Sequence, residues 1–131
     1  MQYLLLIHDD ESKFSTLTEK EYTDILAGYM ALTADLKEQG AYVGSNRLAF
    51  TDTALTIRVR EGEEIVTDGP FAETKEQLGG FILIEADSIE EARDWAARVP
   101  AARHGAIEVR AVMPAHPGAA AVTSRDPHRP R

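Results

Sequence analysis

The chain has 131 residues, a length that fits one domain. It carries 14 Lys and Arg against 22 Asp and Glu, a net charge of −8, and no cysteine. These counts exclude disulfides, thiolate catalysis and cysteine-based metal sites. They also argue against a nucleic-acid surface, which needs clustered Lys and Arg.

The opening Met1-Gln2-Tyr3-Leu4-Leu5-Leu6-Ile7-His8 lacks a basic flank. Its apolar run is too short for a signal peptide or a membrane span, so a soluble cytoplasmic protein is expected. Tyr3 to His8 reads as a short buried strand. Thr18-Glu19-Lys20-Glu21 has the form of a capping box, and Tyr22, Ile25, Leu26, Tyr29, Leu32 and Leu36 follow at helical spacing. Gly40 suits the residue just past a helix end, so a helix is predicted over 19–39.

Tyr42 to Phe50 reads as a strand with an irregular middle. Ala54 to Arg60 alternates, Glu61-Gly62-Glu63 turns, and Glu64 to Thr67 returns, which is a hairpin. Phe81 to Ala86 is a further strand. Ser88-Ile89-Glu90-Glu91 is a second capping box, opening a helix that Pro100 stops. Ala106 to Val112 closes as a strand, with Glu108 and Arg110 on one face and Ile107 and Val109 on the other.

Residues 1–113 therefore read as one folded domain, and residues 114–131, with four prolines, as a flexible tail. Arg125, Arg129 and Arg131 against Asp126 give the tail a balance of +2 and leave −10 on residues 1–113. Without the hairpin the order is β-α-β-β-α-β, an α+β, ferredoxin-like arrangement of two helices on one face of an antiparallel sheet. The other face carries Leu4, Leu6 and His8 with Glu108 or Arg110. Such an open apolar face predicts a homodimer built sheet to sheet.

Between hairpin and next strand lies Asp68-Gly69-Pro70-Phe71-Ala72-Glu73-Thr74-Lys75-Glu76-Gln77-Leu78-Gly79-Gly80-Phe81. Ordinary connections run about 4–6 residues, so this longer, charged one is a candidate site or assembly contact. Asp68 reads first as a turn residue and also as a candidate general base, two roles that can coexist. Phe71 can pack or stack on a ligand, while Glu73 and Lys75 can form surface ion pairs or, through Lys75, hold an anionic ligand. Gly79-Gly80 makes no dinucleotide fingerprint and suits close backbone approach. His8 and His104 are the candidate acid–base partners, and Arg110 a candidate anion holder. His116 and His128 lie in the tail. Scattered histidines without cysteine predict no metal site, and no cofactor is expected.

The stretches YLLLIHDDE, DGPFAETKEQLGGFILIEADSIEEA and WAARVPAARHGAIEVRAV resemble the YCII-related superfamily, specifically its DGPF branch. The resemblance covers nearly all of residues 1–113. It implies a dimeric α+β barrel. It also implies an unidentified small-molecule ligand, with two readings. One is a sensor or accessory to sigma-factor-linked regulation, with a regulatory protein partner. The other is a metal-independent lyase or isomerase of the dehydrochlorinase kind, acting on a small organic acid. In such relatives a His-Asp pair is the acid–base centre. Its Asp looks like Asp68, and its His lies in the first helix, where this chain has none between Glu19 and Gln39.

Overall fold

The computed structural model describes residues 1–115. Strand β1 spans Gln2–Asp9, helix α1 Glu19–Glu38, β2 Tyr42–Arg47, β3 Leu55–Arg60, β4 Glu63–Asp68, β5 Gln77–Glu85, helix α2 Ile89–Ala97 and β6 Ala106–Ala111. Three short 3-10 helices join them, at Glu11–Thr16, Thr51–Thr53 and Pro100–Arg103. The tail with His116 and His128 lies outside the described residues.

β2, β5, β1 and β6 form, in that order, one antiparallel sheet, and β3 pairs with β4 in a separate ribbon. This is the α+β, ferredoxin-like order with a hairpin added between β2 and β5. Alternation puts Tyr3, Leu5, Ile82 and Ile84 under the helices, where Leu5 and Ile84 are fully buried. Leu32 and Leu36 of α1 and Ala92, Trp95 and Ala96 of α2 close the core from above.

Both helices start where the sequence predicts. Thr18 accepts from the Glu21 backbone N–H while Glu21 accepts from that of Thr18, a closed capping box. At α2 the box is half closed. Ser88 accepts from the Glu91 N–H, but the Glu91 carboxylate reaches past Ser88 to the backbone of Asp87. Arg98 pairs with Asp35, tying the end of α2 to α1.

Two boundaries differ from expectation. β2 ends at Arg47 rather than Phe50, and a bulge between Tyr42 and Gly44 makes its irregular start. β5 begins at Gln77, four residues early, because Gln77 and Leu78 pair with Asp9 and His8 beyond a second bulge. On its other edge β5 meets β2 closely at Gly80, which pairs with Arg47. A Cβ there would lie 2.8 Å from the carbonyl oxygen of Asn46 on the neighbouring strand.

The hairpin stands apart from this body. One of its faces shows Leu55, Ile57, Val59 and Val66, each at least half exposed. α1 also meets the sheet unevenly. Leu32 and Leu36 are buried, whereas Tyr22 and Leu26, nearer its start, are exposed. The first half of the helix stands off the sheet and opens a cavity beneath it.

Candidate functional site

That cavity measures about 560 Å³ and is walled by α1, the ends of β1 and β2, the start of β5 and the two 3-10 helices at 11–16 and 100–103. Small-molecule sites fall in the range of about 300–1,000 Å³ and combine apolar walls with a few convergent polar groups. Here Ile25, Leu26, Phe14, Leu48 and Ile82 supply apolar wall, and Asp9, His104, Tyr29 and Arg47 the polar groups.

Asp9 and His104 meet although 95 positions apart. β1 and β6 are antiparallel neighbours with His8 opposite Ala106, so the last residue of β1 lies beside the loop that leads into β6. His104 Nδ1 sits 3.2 Å from Asp9 Oδ2 and 3.3 Å from Oδ1. The Asp10 backbone N–H donates to Asp9 Oδ1 at 2.8 Å and fixes the carboxylate. The Asp9 side chain is 13% exposed and that of His104 43%. A carboxylate on Nδ1 selects the tautomer with its proton there, leaving Nε2 as the lone-pair base.

Tyr29 of α1 lines the same cavity. Burial and then the Asp9 charge push its phenol above the ordinary value of 10.0, against a smaller downward pull from the Ala101 backbone and Arg47. It is therefore a proton-bearing donor at neutral pH. A base, its orienting carboxylate and a neutral hydroxyl donor together can remove a proton from one atom and stabilise the oxyanion that forms on another.

The residues singled out in the sequence are dispersed over the molecule. His104 is in the cavity. His8 is on the opposite, helix-free sheet face, 3.4 Å from Glu108. Arg110 shares that face, 3.8 Å from the other Glu108 oxygen, so Glu108 bridges the two. Asp68 ends β4 opposite Leu55, is exposed, and has no histidine in hydrogen-bond reach among the described residues. Its neighbour Gly69 carries the turn's hydrogen bonds instead, to Ala54 and Thr56. Phe71 is 79% exposed under the Arg58 guanidinium, 5.3 Å from its ring centroid. Glu73 and Lys75 are exposed on the same loop.

The loop touches the cavity at its far end only. Gln77 donates to the Thr74 carbonyl and accepts from the Glu11 N–H, linking the loop to the 3-10 helix over the mouth. Glu11 in turn accepts from the Thr51 hydroxyl and backbone N–H. Asp9, Tyr29 and Arg47 went unmarked in the sequence. The signal for Asp9 was topological: in the ferredoxin-like order the end of the first strand and the start of the last are adjacent.

No helix of the described residues is long and apolar enough to cross a membrane. Among those residues no cluster of His, Asp and Glu is arranged to hold a metal ion.

Three likenesses frame this site. An uncharacterised protein of Rhizobium meliloti (strain 1021) is 40% identical over 120 residues, covering 90% of this chain and 97% of the relative. The solved structure of the 5-chloro-2-hydroxyhydroquinone dehydrochlorinase of Burkholderia phenoliruptrix, in complex with 2,5-dihydroxybenzoquinone, superposes with a TM-score of 0.50 at 17% identity. That likeness covers 86% of this chain and 94% of the enzyme, and it is one of fold. The model of the YCII-related domain matches residues 1–116, and with this match over nearly the whole chain the protein belongs to the YCII-related family.

Proposed function

We propose that the chain is a lyase or isomerase that moves a proton on a small, planar, enolisable compound held between α1 and the sheet. The observation that carries this reading is the Asp9–His104 pair on the wall of a ligand-sized cavity. His104 Nε2 takes a proton from a carbon next to a carbonyl. The electron pair moves onto the carbonyl oxygen, toward which the Tyr29 phenol is the available donor. Collapse of the enolate then expels a leaving group or returns the proton elsewhere. A sensor would share the ligand and move no proton. Nothing in that role calls for a carboxylate-oriented imidazole, which is why the enzyme is preferred.

The ligand of the dehydrochlorinase structure, 2,5-dihydroxybenzoquinone, is an apt probe, since its ring hydrogens exchange through the keto tautomer, whose CH2 lies next to a carbonyl. It is expected to raise the melting temperature in proportion to the logarithm of its concentration. The protein is expected to speed exchange of those ring hydrogens with deuterated water, followed by NMR. A probe that binds without accelerated exchange leaves a binding protein and removes the enzyme.

We also propose that two copies pair through the helix-free sheet face. Leu4, Leu6, Phe81 and Leu83 form a continuous half-buried apolar patch there, from register pairs Leu6 with Phe81 and Leu4 with Leu83. His8, Glu108 and Arg110 border it. Light scattering is expected to give a dimer mass, and Leu6→Glu with Leu83→Glu a monomer of unchanged helix content. A monomer for the unaltered chain at tens of micromolar contradicts the pairing.

A further inference from the structure

Arg47 ends β2 at the mouth of the cavity. Of the described arginines only Arg98 and Arg110 pair with a carboxylate, and of the others Arg47 alone lines the cavity. Among the described residues no carboxylate lies within ion-pair distance of its guanidinium. The three carboxylates on the cavity wall are engaged elsewhere. Asp9 faces His104, Glu11 holds Thr51, and Glu21 closes the capping box.

The guanidinium is nevertheless held in place. Its Nη1 donates to the Tyr22 hydroxyl at 3.3 Å, and it lies 5.5 Å from the centroid of the Phe14 ring. Stacking of this kind orients the planar fork without neutralising its charge. Its field is felt inside the cavity, since it lowers the pKa of Tyr29 against the effect of Asp9. A fixed cation at the rim and a base on the wall therefore frame one apolar space.

We propose that Arg47 is the anion anchor of this cavity, and that the natural ligand is a small ring or planar acid bearing a carboxylate or enolate. The negative end pairs with the Arg47 fork, and the remainder reaches toward His104 and Tyr29. This rests on the reading of the cavity as the ligand site. It names what enters there, which that reading leaves open. Lys13 also lines the cavity, but on a short 3-10 helix and without an aromatic platform, so it lacks the fixed geometry that Arg47 has.

The test uses two isosteric probes, 2,5-dihydroxybenzoate and its neutral amide 2,5-dihydroxybenzamide, titrated calorimetrically into the full chain. The acid is expected to bind roughly tenfold tighter than the amide, the contribution of one charge-assisted fork contact. Arg47→Met should erase that preference while the amide keeps its affinity, which also shows that the variant folds. Arg47→Lys should restore part of it, and Lys13→Met should leave it within about twofold. Equal binding of acid and amide to the unaltered chain overturns the anchor and leaves the cavity as a ligand site. So does a preference lost in Lys13→Met and kept in Arg47→Met. Binding of neither probe at millimolar concentration overturns the cavity reading and the anchor with it.

Discussion

Gly105→Ala is expected to destabilise the fold by about 3 kcal/mol or more, although it adds a single methyl group. A Cβ at this position would lie 2.2 Å from the His8 carbonyl oxygen, 3.2 Å from that of Ala101 and 3.2 Å from the Asp9 Cα. All three are backbone atoms, so no side chain can rotate away to make room. The Gly105 N–H also donates to the Ala101 carbonyl at 2.7 Å, which folds the loop tightly back onto the Pro100–Arg103 3-10 helix. Accommodating the methyl requires parting the end of β1 from the entry to β6. For a domain of this size the loss lowers the melting temperature by roughly 10–15 °C.

The same displacement separates Asp9 from His104, so a folded Gly105→Ala protein should also lose proton-transfer activity. Gly44→Ala is the control. A Cβ at Gly44 meets nothing within 4 Å, and its effect should stay within about 0.5 kcal/mol. Denaturant unfolding of the two variants decides the matter. Equal stabilities would mean that the His8 carbonyl does not approach Gly105 as described.

Gly105 also marks where the sequence stops being informative. Periodicity locates elements, and it located these: the Tyr22-to-Leu36 stripe gave α1, and alternation in Ala54 to Arg60 gave the hairpin. It could not give the offset of α1 from the sheet. Leu26 and Leu32 read alike as apolar helix positions, yet one is 41% exposed at the cavity and the other 2% in the core. Leu26 faces the cavity, whose wall includes residues of the Glu11–Thr16 3-10 helix, which Glu11 ties to Thr51. That contact spans 40 positions and leaves no local pattern.

Chemical conspicuousness and spatial convergence part company in a related way. The segment from Asp68 to Lys75 concentrates charge and turn residues, but most of it lies exposed beyond the hairpin. The groups that converge sit singly, at the end of β1, in mid-α1, at the end of β2 and before β6. Each looks like an ordinary strand-end or helix residue by itself. Only the sheet order, with β1 between β5 and β6, brings them to one place.

Asp9→Asn and His104→Gln should each reduce proton transfer by about 10²- to 10⁴-fold, the usual contribution of a positioned acid–base group. The amide introduced by Asp9→Asn would keep the shape of the carboxylate and can still accept from the imidazole. It would no longer select the tautomer electrostatically or stabilise the imidazolium formed when His104 takes a proton. The two losses should therefore be non-additive. The double variant is expected to be scarcely worse than His104→Gln, because a base that is absent needs no orienting carboxylate. Asp9 is only 13% exposed and partly satisfied by the Asp10 N–H, so the variants need a stability check beside the rate.

Asp68→Asn supplies the comparison, with a rate expected to remain within about twofold of the unaltered chain, as for an exposed surface change. Deuterium exchange into 2,5-dihydroxybenzoquinone measures the unaltered chain and the three single variants on one scale. Were Asp68→Asn to fall as far as Asp9→Asn, the proton would be moving at the hairpin loop, and the cavity under α1 would hold the ligand without carrying the chemistry. Were all of them to keep the same rate, neither carboxylate would be the acid–base partner, and the cavity, with Arg47 and Tyr29 on its wall, would keep a binding role alone.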